Sequence, residues 1–185
     1  YNFRSIPGLL THSGAFVYFL ATAEGPDNGN LWATDGVGAT PVVTSAYYTR
    51  DYIDLDGILI YKGFFHNGAI ESYGLFRADQ TGGTLLHAIN PTIGYGPSSY
   101  QVNVGGTLFF NAENSTGGIG LWKCDGTESG TQLVSEIAPI GSGPVELVSL
   151  RGKAYFFAEE MAHGRQLWQS DGSQAGTYPV SYPHP

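Results

Sequence analysis

The sequence predicts an all-β protein, a four-bladed β-propeller, on the strength of three observations. The string L-W-K-C-D-G-T-E-S-G-T, which begins at Leu121, returns with changes three more times along the 185 residues. No window shows the sustained apolar stripe of an amphipathic helix, which has a period of 3.6 residues. The composition, with 27 Gly, 10 Pro and 14% aromatic residues, suits short strands joined by tight turns.

Each repeat of about 46 residues contains four apolar segments, which we name strands a to d in chain order. Strand a is predicted at 7–11, 52–55, 100–104 and 145–150. Strand b is predicted from Phe16, Leu59, Leu108 and Ala154. Strand c opens with the motif leucines Leu31, Leu75, Leu121 and Leu167, and strand d follows at 41–44, 84–88, 131–137 and 177–181.

These four-stranded units predict a single domain over 1–185, with blades at about 1–46, 47–90, 91–138 and 139–185. A unit of this size buries both faces only by stacking against its neighbours, which explains apolar runs such as Leu108-Phe109-Phe110. The chain begins at a strand a and ends after a strand d, so a closed ring would close by blade packing. The alternatives are an open stack of the same sheets and a piece of a longer array.

The motif resembles the ELWxxDGT repeat of bacterial secreted and surface proteins. The third and fourth repeats match it well, whereas the second has Phe76 in place of Trp and Gln80 in place of Gly. The Glu that opens the family motif is absent from all four copies. The resemblance implies an extracellular, cell-surface or periplasmic protein, and it implies no general enzymatic activity.

The repeated motif residues are expected to be structural. The aspartates should cap the c–d turns, because a carboxylate accepts backbone N–H groups there and a following Gly allows positive φ. A ring of bound cations and catalysis are the alternatives. The aromatic residues should anchor blade packing, with stacking on a sugar as the alternative. These positions are Asp35, Asp79, Asp125 and Asp171 for the turns, and Trp32, Phe76, Trp122 and Trp168 for the aromatics.

Other candidate sites are weak. An EF-hand loop around Asp51, Asp54 and Asp56 lacks the required ligands at its first and last positions, which leaves a looser calcium site at Asp54 and Asp56 as the alternative. No histidine pair has zinc spacing, and no nucleophile or phosphate-binding motif is present. We therefore expect no metal, no cofactor and no enzymatic activity. Cys124 stands where other repeats have small residues, which favours packing over a reactive thiol, and Asn114 begins an N-glycosylation triplet.

The charge balance disfavours two classes of partner. The formal net charge is −8, and the 8 Lys and Arg residues do not cluster. Nucleic acids and anionic membrane surfaces are bound through clustered basic groups, so neither is an expected partner. No apolar run reaches the length needed to span a bilayer, so membrane insertion is not expected.

The variable loops are the predicted binding surface. Antiparallel order places the b–c loops and the d–a connections at one end of the sheets, which we name the b–c rim. The second repeat is predicted to have the longest b–c loop, at 63–74. Aromatic residues there and in the flanking connections could contact a partner or fill gaps between blades: Tyr47, Tyr48, Phe64, Phe65, Tyr73 and Tyr95. The predicted function is a non-catalytic structural or protein-interaction module, with a carbohydrate-binding propeller as the alternative. An enzyme and a calcium-dependent adhesin are less favoured alternatives.

Overall fold

The computed structural model describes residues 10–21, 30–42, 44–67, 70–79, 82–89, 100–113, 118–138, 143–160 and 163–180. Within these ranges the chain forms sixteen strands and no helix. It divides into two compact units, Tyr1–Pro91 and Thr92–Pro185.

The first unit contains two antiparallel sheets, each with its strands side by side in chain order. Sheet one comprises β1 (Leu10–Ser13), β2 (Phe16–Ala21), β3 (Asn30–Thr34) and β4 (Ala39–Pro41). Sheet two comprises β5 (Tyr47–Leu55), β6 (Ile58–Asn67), β7 (Ile70–Ala78) and β8 (Gly83–Ile89).

The second unit repeats this plan. Sheet three comprises β9 (Gln101–Val104), β10 (Thr107–Glu113), β11 (Ile119–Cys124) and β12 (Gln132–Ala138). Sheet four comprises β13 (Val145–Leu150), β14 (Lys153–Glu160), β15 (Gly164–Ser170) and β16 (Tyr178–Pro179). The prediction of an all-β chain with four antiparallel strands in each repeat is confirmed for the described residues. The single domain over 1–185 stays a prediction.

The long b–c loop predicted at 63–74 is wrong. β6 continues to Asn67 and β7 begins at Ile70, so Phe64, Phe65 and Tyr73 lie in strands. The two strands pair through nine consecutive positions, from Leu59 with Ala78 to Asn67 with Ile70. Apolar side chains along both strands gain enough burial to extend the hairpin.

An aromatic pair crosses strands b and c in every sheet. The motif aromatic on strand c stacks against an aromatic directly opposite it on strand b, at ring-centroid distances of 5.5 to 6.5 Å. The pairs are Phe19 with Trp32, Tyr61 with Phe76, Phe110 with Trp122 and Phe156 with Trp168. Such cross-strand aromatic pairs stabilise a sheet beyond the area they bury, so the motif aromatic acts first within its own sheet.

Among the described residues of each unit, an apolar core joins the two sheets. In the first unit, Tyr18, Leu31 and Ala33 of sheet one pack against Tyr61 and Phe76 of sheet two. In the second unit, Phe109 and Leu121 of sheet three pack with Ala154, Phe156 and Ala158 of sheet four. The a strands of the two sheets also contact each other within each unit, β1 with β5 and β9 with β13.

The a–b turns of the last three sheets share a backbone conformation. Their two central residues both have positive φ, as the type I′ hairpin turn requires. The pairs are Asp56-Gly57 (51° and 90°), Gly105-Gly106 (58° and 83°) and Arg151-Gly152 (51° and 75°). In the first unit the a–b turns of the two sheets meet: Ser13 Oγ donates to Asp54 Oδ1 at 2.5 Å, and a Cβ added at Gly14 would lie 2.8 Å from the Gly57 carbonyl oxygen.

Candidate functional site

The motif aspartates of sheets three and four are bonded to their own c–d turns. Asp125 Oδ1 accepts hydrogen bonds from the backbone N–H of Thr127 at 3.0 Å and from its hydroxyl at 2.6 Å. Asp171 Oδ1 accepts the same pair from Ser173, at 2.9 and 2.7 Å. Both carboxylates therefore act as local caps in the described structure.

The hydroxyl at the third motif position continues the network. Thr127 Oγ1 accepts the N–H of Gly130 at 2.9 Å, and the Thr127 carbonyl accepts the Thr131 hydroxyl at 2.7 Å. Ser173, Gly176 and Thr177 repeat both bonds at the same distances. The motif D-G-[T/S]-x-x-G-T is thus a hydrogen-bonded unit in which nearly every specified side chain has a local partner.

Sequence reasoning missed why the second glycine of the motif is required. A Cβ added at Gly130 would lie 1.9 Å from Asp125 Oδ1, and one at Gly176 would lie 2.1 Å from Asp171 Oδ1. The carboxylate occupies the space that any side chain would need. The spacing of five residues between Asp and Gly in both repeats was the available signal.

The small residue before the aspartate is an acceptor as well as a packing element. Cys124 Sγ accepts the Gly126 N–H at 3.2 Å, and Ser170 Oγ accepts the Gly172 N–H at 3.0 Å. Burial raises the pKa of the Cys124 thiol, although the hydrogen bond from Thr131 acts in the opposite direction. A raised pKa lowers the thiolate fraction, so the surroundings of this buried thiol disfavour nucleophilic reactivity.

The first two repeats keep the aspartate but change the turn. Asp35 Oδ1 accepts the N–H groups of Val37 and Gly38 at 2.9 and 3.3 Å. Asp79 Oδ1 accepts the N–H of Gly82 at 3.1 Å, and the Asp79 N–H donates to the Gly82 carbonyl. All four motif aspartates therefore accept hydrogen bonds from backbone N–H groups of their own turns.

These bonds lower three carboxyl pKa values. The backbone N–H of Val37 has the largest effect on the pKa of Asp35, and the hydroxyls of Thr127 and Ser173 have the largest effects on the pKa values of Asp125 and Asp171. In each case the bond favours the charged form.

Most of the predicted partner-binding aromatics are not on a free loop. Phe65 and Tyr73 are 6% and 3% exposed, and Phe65 packs edge-on against Phe76 at 5.8 Å. The burial of these two rings favours packing over contact with a partner. Phe64 is half-buried, Tyr47 and Tyr48 lie in β5, and Tyr95 and Asn114 lie outside the described residues.

An arginine covers an aromatic ring in sheet two. The exposed Arg50 on β5 donates from Nε to the Tyr73 hydroxyl at 2.8 Å, and its guanidinium carbon lies 5.2 Å from the Tyr73 ring centroid. Phe64 meets the same ring edge-on at 4.9 Å. We name Arg50, Phe64 and Tyr73 the first arginine–aromatic cluster.

A similar cluster lies at the b–c end of sheet four. The guanidinium carbon of Arg165 lies 4.8 Å from the Phe157 ring centroid, and Arg165 forms an ion pair with Glu146 at 3.1 Å. The Arg165 and Glu146 side chains are 54% and 57% exposed, so solvent reaches the pair. Arg165, Phe157 and Glu146 form the second arginine–aromatic cluster. Its members come from three different strands, so no local sequence pattern indicates it.

The described ranges contain no group of three or more His, Cys, Asp or Glu residues arranged to hold a metal ion. At the looser calcium candidate, Asp54 Oδ1 accepts hydrogen bonds from Ser13 and from the Gly57 N–H. Among the residues that the structure describes, no helix has the length and apolar character needed to cross a bilayer.

Comparison with known proteins identifies no family for this chain. No protein family model matches the sequence, and no curated protein matches it. A solved structure described as AtxE2 isopeptidase in the apo form aligns with 90% of this chain and 31% of its own, at 21% identity and a TM-score of 0.32. The chain thus spans about a third of that protein. A similarity this low carries no argument about fold or activity, and the resemblance to the ELWxxDGT repeat stays a prediction.

Proposed function

We propose that the four sheets are blades of a four-bladed β-propeller and that the chain is a non-catalytic, extracytoplasmic interaction module. Sheet-on-sheet packing with neighbouring a strands, seen inside each unit, supports the propeller arrangement. The motif resemblance supports the location outside the cytoplasm.

The observation that carries the interaction role is the exposed arginine of each arginine–aromatic cluster, Arg50 and Arg165. Arginine and aromatic residues are enriched in protein–protein interfaces, where the guanidinium stacks on rings and donates several hydrogen bonds. The exposed Arg165, held over Phe157 by Glu146, is pre-organised to make such contacts. The motif aspartates, by contrast, are engaged in their own turns.

Site-specific photo-crosslinking in the cells from which the sequence comes tests this proposal. A photoreactive residue replaces the exposed His163, next to Arg165 at the b–c end of sheet four, or Arg151 in the exposed a–b turn at the opposite end. We expect covalent protein adducts from position 163 and few from position 151. Adding Arg165→Ala should reduce the adducts from 163, whereas equal yields from both ends would reject the b–c rim.

The carbohydrate-binding alternative has a separate test. Purified protein would be applied to a glycan array, with the Arg50→Ala and Arg165→Ala variants beside it. Binding that both substitutions weaken would assign the clusters to sugar recognition in place of protein recognition. Absence of binding would leave the protein-interaction proposal as the one to pursue by crosslinking.

A further inference from the structure

A lysine is completely buried in sheet two. Lys62 on β6 is 0% exposed, and Arg50 and Leu75 are its cross-strand neighbours. Lysine is almost never fully buried unless it is paired. Its Nζ lies 3.8 Å from Oδ2 of Asp51, whose side chain is only 10% exposed.

The backbone of β5 bends to bring Asp51 to this lysine. The pairing of β5 with β6 shifts register on both sides of Arg50, between Tyr47 and Arg50 and again between Arg50 and Ile53. Asp51 follows Arg50 in this irregular segment and has a φ of 55°. Bulges of this kind re-aim side chains, and a non-glycine residue with positive φ persists only where its surroundings enforce it.

The surroundings raise the uncharged fraction of the Lys62 amine, which is its reactive form. Burial lowers the pKa of Lys62 to about 8, against the opposing effect of the Asp51 charge, and Arg50 lowers it further. About a tenth of the amine is then uncharged at neutral pH, far more than for an exposed lysine. A free amine is a nucleophile, and a dry site disfavours the hydrolysis of any amide formed there.

We propose that Lys62 and Asp51 condense into an intramolecular isopeptide bond that joins β5 to β6. The ammonium of Lys62 first gives a proton to the Asp51 carboxylate. The Nζ lone pair then attacks Cγ, the new C–N bond forms, and the C–OH bond breaks. The hydroxyl leaves with a second proton from nitrogen as one water molecule, so one amine and one carboxylic acid become one amide and one water, without an oxidant or another reactant.

Such a bond would give the chain a covalent link that its cysteine content cannot provide. The sequence contains one cysteine, so no disulfide can form within the chain. The link would join the two strands across the a–b turn at Asp56-Gly57 and would fix the irregular register of β5. The isopeptide bond does not depend on the proposed partner binding, so a negative test of either proposal leaves the other standing.

Intact-mass spectrometry of the purified, folded chain tests the proposal. We expect a mass lower than that of the sequence by one water molecule. Proteolysis followed by tandem mass spectrometry should yield a branched peptide pair joined at positions 51 and 62. Wild-type protein with the full sequence mass would overturn the proposal without any variant being needed.

Variants distinguish the isopeptide bond from other losses of water. Lys62→Met and Asp51→Gly should have their full sequence masses. Asp51→Asn should lose ammonia in place of water, because the bond that breaks is the C–N bond of the side-chain amide. Asp56→Gly, which replaces a nearby exposed aspartate that also has positive φ, should keep the loss of water.

Succinimide formation at an Asp-Gly turn is the competing source of the same mass change. It would persist in Lys62→Met and would leave the digested peptides unjoined. Either of those results would assign the loss of water to a turn and overturn the isopeptide bond.

Discussion

The carboxylate of each complete motif occupies the position that a side chain on the second glycine would need. For Gly130 the added Cβ would lie 1.9 Å from Asp125 Oδ1, and that oxygen is held by two bonds from Thr127. Gly130 is therefore required by the space around it. This exclusion couples the two residues energetically, because removing the carboxylate also removes the obstacle.

A double-mutant cycle tests this coupling. Gly130→Ala should destabilise the protein by about 1–3 kcal/mol, the usual cost of forcing extra atoms into filled space. In an Asp125→Ala background the same substitution should cost less than half as much. Gly38→Ala is the control, since no described atom lies within 4 Å of its added Cβ. Equal costs in both backgrounds, measured by urea unfolding, would contradict the proposed steric coupling.

The same carboxylates predict loss of stability in acid. The pKa values of Asp35, Asp125 and Asp171 are lower in the folded chain than the ordinary value of 3.8, because backbone N–H groups and hydroxyls bond the charged form. A lowered folded-state pKa contributes stability above the unfolded-state pKa, and that contribution disappears as the pH falls through the folded-state value.

The acid effect is measured by urea unfolding at neutral pH and at a pH below 3.8. Combining Asp125→Asn with Asp171→Asn keeps the acceptor oxygens but removes the titration, so the stability of this variant should fall less on acidification. If wild type and variant lose the same free energy of unfolding, these carboxylates are not the source of the acid sensitivity.

At the level of elements, the a–b turns differ in how well their residues suit the same backbone. Gly105 and Asp56 tolerate positive φ, whereas Arg151 adopts a φ of 51° with no such preference. Arg151 is exposed and lies in the turn that joins β13 to β14. The turn of sheet four is therefore the least favourable of the three type I′ turns.

Replacing Arg151 by Asn should stabilise the protein by about 0.5–1 kcal/mol, because Asn accepts the left-handed conformation at lower cost. Thermal unfolding should show a rise of a few degrees in Tm. Asp56→Asn is the matched control and should change Tm little. A fall in Tm for Arg151→Asn would show that the arginine side chain makes a contact worth more than the backbone strain.

The sequence predicted the elements whose signals are local and missed those that depend on distant contacts. Leu121-Trp122 and Asp125-Gly126 mark a strand and its turn within a few residues, and the structure has both there. Gly63 and Gly74 read as loop residues, yet they lie opposite each other in β6 and β7. A Cβ at Gly74 would lie 2.6 Å from Leu85 Cδ1, so this glycine makes room for packing, which no local pattern reveals.

The candidate site was harder to predict for the same reason. The aromatic composition of the predicted b–c loop pointed to Phe65 and Tyr73, which tertiary packing buries. Arg165 and Phe157 are brought together by the pairing of β14 with β15, and Glu146 by the start of β13. Lys62 and Asp51 meet only because β5 changes register, and apolar patterning does not encode that change.

At the scale of the whole molecule, the proposed propeller predicts cooperative unfolding. The tryptophans divide between the units, with Trp32 in the first and Trp122 and Trp168 in the second. The second repeat already has Phe76 at the equivalent position, so Trp→Phe substitutions suit the site. Tryptophan fluorescence can therefore report each unit separately.

Urea unfolding would be followed in Trp32→Phe and in the double variant Trp122→Phe/Trp168→Phe. A closed ring buries each blade against two neighbours, so the whole chain should unfold in one transition. In each variant, the fluorescence midpoint should therefore coincide with the circular dichroism midpoint measured on the same sample. Separate midpoints for fluorescence and circular dichroism within one variant would indicate two independently folding halves and would contradict the single propeller.

The c–d turn has a consequence for how such a chain can grow. In sheets three and four its carboxylate, hydroxyl and thiol bonds all join residues within seven positions of one another. A duplicated gene segment therefore carries these side-chain bonds of the turn with it. Adding or removing one copy leaves them intact, so only residues that meet the new neighbour must adapt, among them Lys123, whose Nζ donates to the Gly172 carbonyl of the next turn.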